Sequence, residues 1–214
     1  LISFLSLPGA AAFAEHAFSL DDTPKYPPGF THFDFVNPDA PKGGELFLAN
    51  PDRRTSFDKF NPFSMKGVSA AGLTVLMFES LTTNSSGSEA ITDEVATMYG
   101  LLAEDMELAP DRMAMTFRLN AKARFNNGDP VLAADVKHSF DTLVAKGAPQ
   151  VKSLLENVKQ CVVLNERTVR FDFKTLNREM PLIVGSVPVF SRKWAAGTDF
   201  DKIQLTPPIT TGPY

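Results

Sequence analysis

The stretch from Met115 to Gly147, MTFRLNAKARFNNGDPVLAADVKHSFDTLVAKG, constrains this chain most, because it reads as strand, turn and helix in a single run. Met115, Phe117 and Leu119 alternate with Thr116, Arg118 and Asn120, the period of two that a strand with one buried face requires. Asn126-Asn127-Gly128-Asp129-Pro130 is dense in turn formers; glycine accepts a positive φ, and proline disfavours helix at the residue before it. A helix is expected from about Ala133, with Val136, Phe140, Leu143 and Val144 at helical spacing on one face. Asp135 falls in its first turn, where a negative charge suits the helix dipole, and Lys146-Gly147 offers a stop.

Other elements follow from the same reasoning. Residues 105–120 contain a hairpin turning near Pro110-Asp111, and Val158–Phe173 a second, turning at Asn165-Glu166, with Val169, Phe171 and Phe173 alternating against Arg170 and Asp172. GELFLA, Gly44–Ala49, reads as a first strand. Ser69 is expected to cap a helix carrying Leu73, Leu76, Met77 and Leu81 on one face. A helix within 182–195 is interrupted by Pro188. Residues 21–41 lack periodicity and read as an extended arm packed by Tyr26, Phe30, Phe33 and Phe35.

Length and composition narrow the class. With 214 residues, the chain makes one domain or two small ones, and 43% hydrophobic residues support a real core. The net charge of −4, with Lys and Arg scattered, leaves no footprint for nucleic acid. Cys161 is the single cysteine, so neither an internal disulfide nor a cysteine-rich zinc site forms; an unpaired thiol in an exported chain is expected to lie buried in a strand. Export is the reading of the N-terminus: the apolar run Leu1–Leu7, the break Pro8-Gly9 and Ala12-Phe13-Ala14 make an h-region followed by a cleavage site after Ala14. The segment is too short to span a bilayer.

Catalytic chemistry is not visible. G-x-S-x-G, H-E-x-x-H, P-loop and G-x-G-x-x-G patterns are absent. His16, His32 and His138 are far apart, and each is read as solvated or capping rather than metal-ligating. Asp93-Glu94 lacks the spacing of a calcium loop. No catalytic residue, metal ligand or cofactor is therefore expected. The loop Asn61–Val68 instead has the makings of a binding surface: Gly67 lets a ligand backbone approach closely, Lys66 and Ser69 offer polar contacts, and Phe60 and Phe63 offer apolar wall.

The run F-x-L-x5-F-x-x-G-x-P-V-x-A-x-D-V-x-x-S-F, Phe117 to Phe140, resembles the hallmark of the family-5 extracellular solute-binding proteins, the periplasmic oligopeptide-, dipeptide- and nickel-binding components of ABC importers. Leu132 departs from it, standing where the pattern has a hydroxyl whose helix cap is worth about 1 kcal/mol. PKYP…FTHFDFVNPDAPKGG, within residues 24–44, is similar to the opening of the YejA-like branch, and Thr210–Tyr214 to the family's interior [ST]GPY segment. The resemblance implies an α/β fold, the N-terminal lobe of a class II (cluster C) periplasmic binding protein, with a mixed sheet and a smaller hairpin-containing subdomain. Its expected division is 1–14 signal peptide (partial), 15–42 arm, 43–68 with 176–214 the incomplete main-lobe sheet, and 69–175 the subdomain holding both hairpins in one sheet. It also implies a monomer in the periplasm that binds an oligopeptide or peptide-like compound and delivers it to an inner-membrane permease and its ATPase, without nucleic acid. Lys66, Gly67, Val68 and Phe63 map by position to the cleft edge. Family members continue far beyond TTGPY through a second lobe, so the chain alone is expected to bind ligand weakly. An exported hydrolase with an unrecognised site, or a periplasmic peptide sensor without transport, are the alternatives.

Overall fold

The computed structural model describes residues 14–21, 23–45, 47, 57–88, 91–92, 94–203 and 205–213. Its elements in chain order are β1 (Ala17–Ser19), α1 (Leu73–Met77), β2 (Thr82–Thr83), β3 (Ser86–Ser88), β4 (Ile91–Thr92), β5 (Thr97–Gly100), β6 (Ala103–Leu108), β7 (Ala114–Leu119), α2 (Ala133–Lys146), α3 (Pro149–Leu155), β8 (Val158–Asn165), β9 (Thr168–Phe173) and α4 (Met180–Gly185), with a 3-10 turn at Phe200–Lys202. This is a mixed α/β fold.

The two expected hairpins share one antiparallel sheet of order β6-β7-β9-β8. Its register pairs Met106 with Phe117, Phe117 with Val169, and Phe171 with both Met115 and Cys161. All of these side chains are buried and lie on one face, over which α2 packs. Helix α2 contributes Val136, Phe140 and Leu143. The rings of Phe117 and Phe140 meet Phe171 edge-on, centroids 6.0 and 5.5 Å away, the geometry the ring quadrupole favours. The other face is wet: Arg118 pairs with Glu104 and Asp105, and Arg170 with Asp172.

Helix α2 begins at Ala133 as the pattern implied. Leu132 provides no side-chain cap, but Asp135 reaches back to accept the Leu132 N–H at 3.1 Å and also accepts the Arg192 N–H at 3.2 Å. Asp135 is 3% exposed, so it is a buried tie between α2 and the 190s rather than only a dipole charge. Val144, assigned to the apolar face, is exposed. Gly147 ends the helix in an extended conformation, φ −63° and ψ 162°, which any residue adopts; glycine is needed there because a Cβ would collide with the Leu143 carbonyl oxygen. The turn before α2 closes as expected, with Gly128 at φ +86° donating to the Phe125 carbonyl.

Two element readings are corrected. The helix read from Ser69 is only α1, capped by Gly72 in the left-handed region (φ +75°). Leu81 lies beyond it, because its carbonyl accepts both the Leu101 and Ala103 N–H groups. Just ahead of the irregular run 21–41, β1 pairs with β5, which in turn pairs with β2. Tyr26, Phe30 and Phe33 then pack around the buried Tyr99 ring at centroid distances of 5.2 to 5.6 Å, and Phe35 stacks on Phe33. Of the expected first strand, Gly44, Glu45 and Phe47 are not in a strand, and the remainder of Gly44–Ala49 lies outside the described residues. Among the described residues of 43–68 and 176–214, the chain makes single backbone bridges, Lys59 to Ser69 and Ser80 to Pro188, rather than strands. Helix α4 stops before Pro188, and α3, which no periodicity signalled, starts with proline at its first position. One core runs from the sheet through Phe63, Phe78, Val189, Phe190, Trp194 and Phe200. The apolar run 1–13 lies outside the described residues.

Candidate functional site

The loop 57–69 is closed at its neck by Asp58. The Asp58 N–H donates to the Val68 carbonyl at 2.8 Å, and the Val68 N–H donates to Asp58 Oδ2 at 2.9 Å. The next residue, Lys59, bridges Ser69 in parallel. Closure forces the chain back on itself at Gly67, whose φ is +81° and where a Cβ would stand 3.0 Å from Asp58 Cβ. Glycine is therefore required there on two counts, backbone and space.

The base of the loop is anchored in the core. Asn61 is fully buried; its Nδ2 donates to the Phe200 carbonyl at 2.7 Å, and its Oδ1 accepts the Phe63 N–H at 3.0 Å. The Phe63 carbonyl accepts the Ala148 N–H at 2.9 Å, joining the loop to the link between α2 and α3. The Lys59 ammonium points inward, 2.5 Å from the Ser64 carbonyl and 3.0 Å from Ser64 Oγ. Burial lowers its pKa below the usual lysine range, and the charge of Asp58 works in the opposite direction.

The expected site residues part company here. Lys66, Gly67 and Val68 lie exposed at the tip, beside the exposed side chains of Met65 and Phe57. Phe63 is 6% exposed, its ring 5.0 Å from Phe78 and 6.0 Å from Phe190. It supports the loop from the core side and leaves little surface to line a cleft. Both backbone groups of Val68 are already used by Asp58, whereas Lys66 and Gly67 make no hydrogen bond among the described residues. The tip can thus offer main-chain donors and acceptors at those two positions, next to apolar side chains. Asp58, Lys59 and Asn61 were not singled out by sequence. The signal, a charged pair inside the aromatic run FDKFNPF, is one that solvent exposure would ordinarily explain.

Residues 210–213 lie against α1. The Gly212 N–H donates to the Met77 carbonyl at 3.0 Å, and the Thr210 carbonyl accepts the Asn126 N–H at 2.8 Å. Open cavities flank the core, two of them beside the helices α4 and α2. One of about 530 Å³ lies between β2, β5 and α4, lined by Thr82, Thr97, Leu182 and Ser186; the other, about 410 Å³, is lined by His138, Lys146, Arg192 and Trp194. The loop 61–68 borders neither. Among the described residues no three His, Cys, Asp or Glu converge as a metal site, and no helix is long and apolar enough to cross a membrane.

Comparison with known proteins places this geometry. Residues 97–214, more than half of the chain, match the profile of the bacterial extracellular solute-binding proteins, family 5. Among curated relatives, the uncharacterized protein y4wM of Sinorhizobium fredii is 37% identical over 100% of this chain and 32% of its own length. The peptidoglycan-binding protein YepA of Agrobacterium fabrum is 36% identical over 97% of this chain and 34% of its own. The probable peptide-binding protein YejA of the same organism is 37% identical over 89% and 30%. The chain thus spans about a third of the length of these relatives. Solved structures that share the fold include NikZ from Campylobacter jejuni in complex with Ni(L-His), at TM-score 0.58 and 20% identity over 73% of this chain and 30% of that one. The oligopeptide-binding protein AppA from Bacillus subtilis with a nonapeptide shares it at TM-score 0.57 and 17% identity, over 74% and 32%. The hallmark strand-turn-helix, the fold built on it and the profile that covers both agree: the chain belongs to the family-5 bacterial extracellular solute-binding proteins, among relatives of YejA.

Proposed function

We propose that the full-length protein is the periplasmic substrate-binding component of an ABC importer, and that it takes oligopeptides or peptide-like compounds for delivery to an inner-membrane permease and its ATPase. The observation that carries this reading is the tip of the loop 57–69, where the main-chain groups of Lys66 and Gly67 have no hydrogen-bond partner among the described residues, on a base anchored in the core. A peptide's backbone is the feature that every peptide sequence shares, so a site built on main-chain hydrogen bonds tolerates varied side chains. Relatives named for peptide and peptidoglycan binding support the same ligand class. The mechanism is binding with hinge closure and no covalent step. In that mechanism residues 69–175 act as the smaller subdomain, and 43–68 with 176–214 as part of the main lobe; Lys66 and Gly67 contact ligand, with Val68 and Phe63 shaping the loop that carries them.

This lobe supplies one wall of a cleft. Micromolar affinity needs about 8 kcal/mol, which a few backbone hydrogen bonds of about 1 kcal/mol each do not reach. Calorimetric titration of the full-length protein with a mixed tri- to hexapeptide pool is expected to give micromolar binding. A response to muropeptides alone would narrow the assignment to peptide-like compounds, and a response to neither peptides nor muropeptides would turn it to another ligand class of the family. Export with cleavage after Ala14 belongs to the same reading. Glu15 is already paired to Met106 through both of its backbone groups, 2.7 and 2.8 Å, so the fold's own pairing reaches back to the residue expected to follow cleavage. N-terminal sequencing of the exported protein should start at Glu15.

A further inference from the structure

Two charged side chains are buried among the described residues, Asp135 and Lys59. Asp135 is accounted for by the start of α2. Lys59 is 3% exposed and serves no helix or sheet. An ammonium leaves water only where hydrogen bonds replace its hydration, and here the carbonyl and the hydroxyl of Ser64, which accept from it, belong to the same loop as Lys59. Asp58 holds Val68 from outside through its backbone N–H and its carboxylate. Lys59 holds Ser64 from inside. Met65, Lys66 and Gly67 are the residues left between these two ties. Gly67 confirms the closeness of the packing: a Cβ there would lie 3.0 Å from Asp58 Cβ and 3.7 Å from Lys59 Cδ.

We infer that Lys59 is a positioning residue: its buried ammonium, bonded to Ser64, is the internal strut that holds Lys66 and Gly67 in the conformation presented to ligand. The inference rests on the reading that this tip contacts the ligand backbone. It also explains why a lysine, costly to bury, stands where a methionine would fill the same volume. Methionine has no donor for the Ser64 carbonyl, so the strut would be lost while the packing stayed.

The test uses the full-length protein as wild type, Lys59→Met and Ser64→Ala, the last removing one of the two acceptors and leaving the ammonium and the carbonyl in place. Hydrogen exchange is followed over residues 57–69 and, as a control, over β7 and α2; affinity is measured with the tri- to hexapeptide pool. In Lys59→Met, exchange over 57–69 should rise and affinity fall by about tenfold or more, the equivalent of one hydrogen bond to a charged group, with β7 and α2 unchanged. Ser64→Ala should move both readouts in the same direction by less. Unchanged exchange over 57–69 in Lys59→Met, or in Ser64→Ala if Lys59→Met does not fold, overturns the inference. Faster exchange with wild-type affinity overturns it too, because the strut would then have no bearing on the ligand. A wild-type protein without affinity for the pool overturns the peptide reading itself, and is recognised before any variant is compared.

Discussion

His138 is half-buried, more enclosed than its sequence reading. It was read as solvated or capping, yet its ring lies edge-on to Phe190 at 5.9 Å. Burial lowers its pKa below the ordinary 6.5, with Asp135 and Asp141 pulling the other way. The unfolded chain therefore takes up this proton at a higher pH than the folded one. Stability should fall as the pH drops below about 6.5, and the loss should go on until the folded-state pKa is passed. Urea unfolding between pH 7.5 and 5 should show a positive slope of stability with pH that His138→Gln reduces; an unchanged slope would assign it to other groups. Cys161 makes a second case. Burial against α2 pushes its thiol up to about 12, and the thiolate is the reactive form. Ellman's reagent at pH 8 should leave Cys161 unlabelled in the native protein and react with it once the protein is unfolded.

At the scale of elements, glycine matters where two backbones meet. Gly212, in the TTGPY segment, donates to the Met77 carbonyl, and a Cβ there would collide with the Leu76 carbonyl oxygen and the Met77 backbone. These are atoms of α1's last turn and cannot swing aside as a flexible side chain would. Gly212→Ala should cost about 1–3 kcal/mol, the range for overpacking, readable as a lower urea midpoint at unchanged slope. Gly128→Ala has open space around its Cβ and would be strained only by its positive φ, so it should cost less. The reverse order of the two midpoints would contradict this account of the TGPY glycine.

For the molecule as a whole, the arm and the sheets meet at Tyr99. Its ring is completely buried among Tyr26, Phe30 and Phe33, its hydroxyl donates to Glu94, and it accepts the Tyr26 N–H at 3.2 Å. Burial comes first among the causes that push this phenol up to about 12. Tyr99→Phe keeps the ring and removes both bonds, at a cost of about 1–3 kcal/mol for two hydrogen bonds, one of them to a carboxylate. Trypsin cleavage after Lys25 should then become faster, while fragments from the four-stranded sheet appear no sooner than in the wild type. Equal cleavage rates would mean that the rings alone hold the arm.

The strand, turn and helix of 115–147, and both hairpins, were legible in the sequence because their causes are local: a period of two, a run of turn formers, a stripe at helical spacing. Aromatic packing of the arm was legible from composition for the same reason. What only the tertiary structure decided depends on partners far along the chain. The strand β1 exists because residues 17–19 meet residues 97–99. The helix expected from Ser69 shrinks because Gly72 turns left-handed and the Leu81 carbonyl is claimed by Leu101 and Ala103. At the candidate site, Gly67 was legible by its residue type as a place of close backbone approach, whereas its left-handed turn and the burial of Lys59 and Phe63 did not show. A side chain's exposure is set by what the rest of the chain packs around it, and neither a lysine nor a phenylalanine carries that information in its own position.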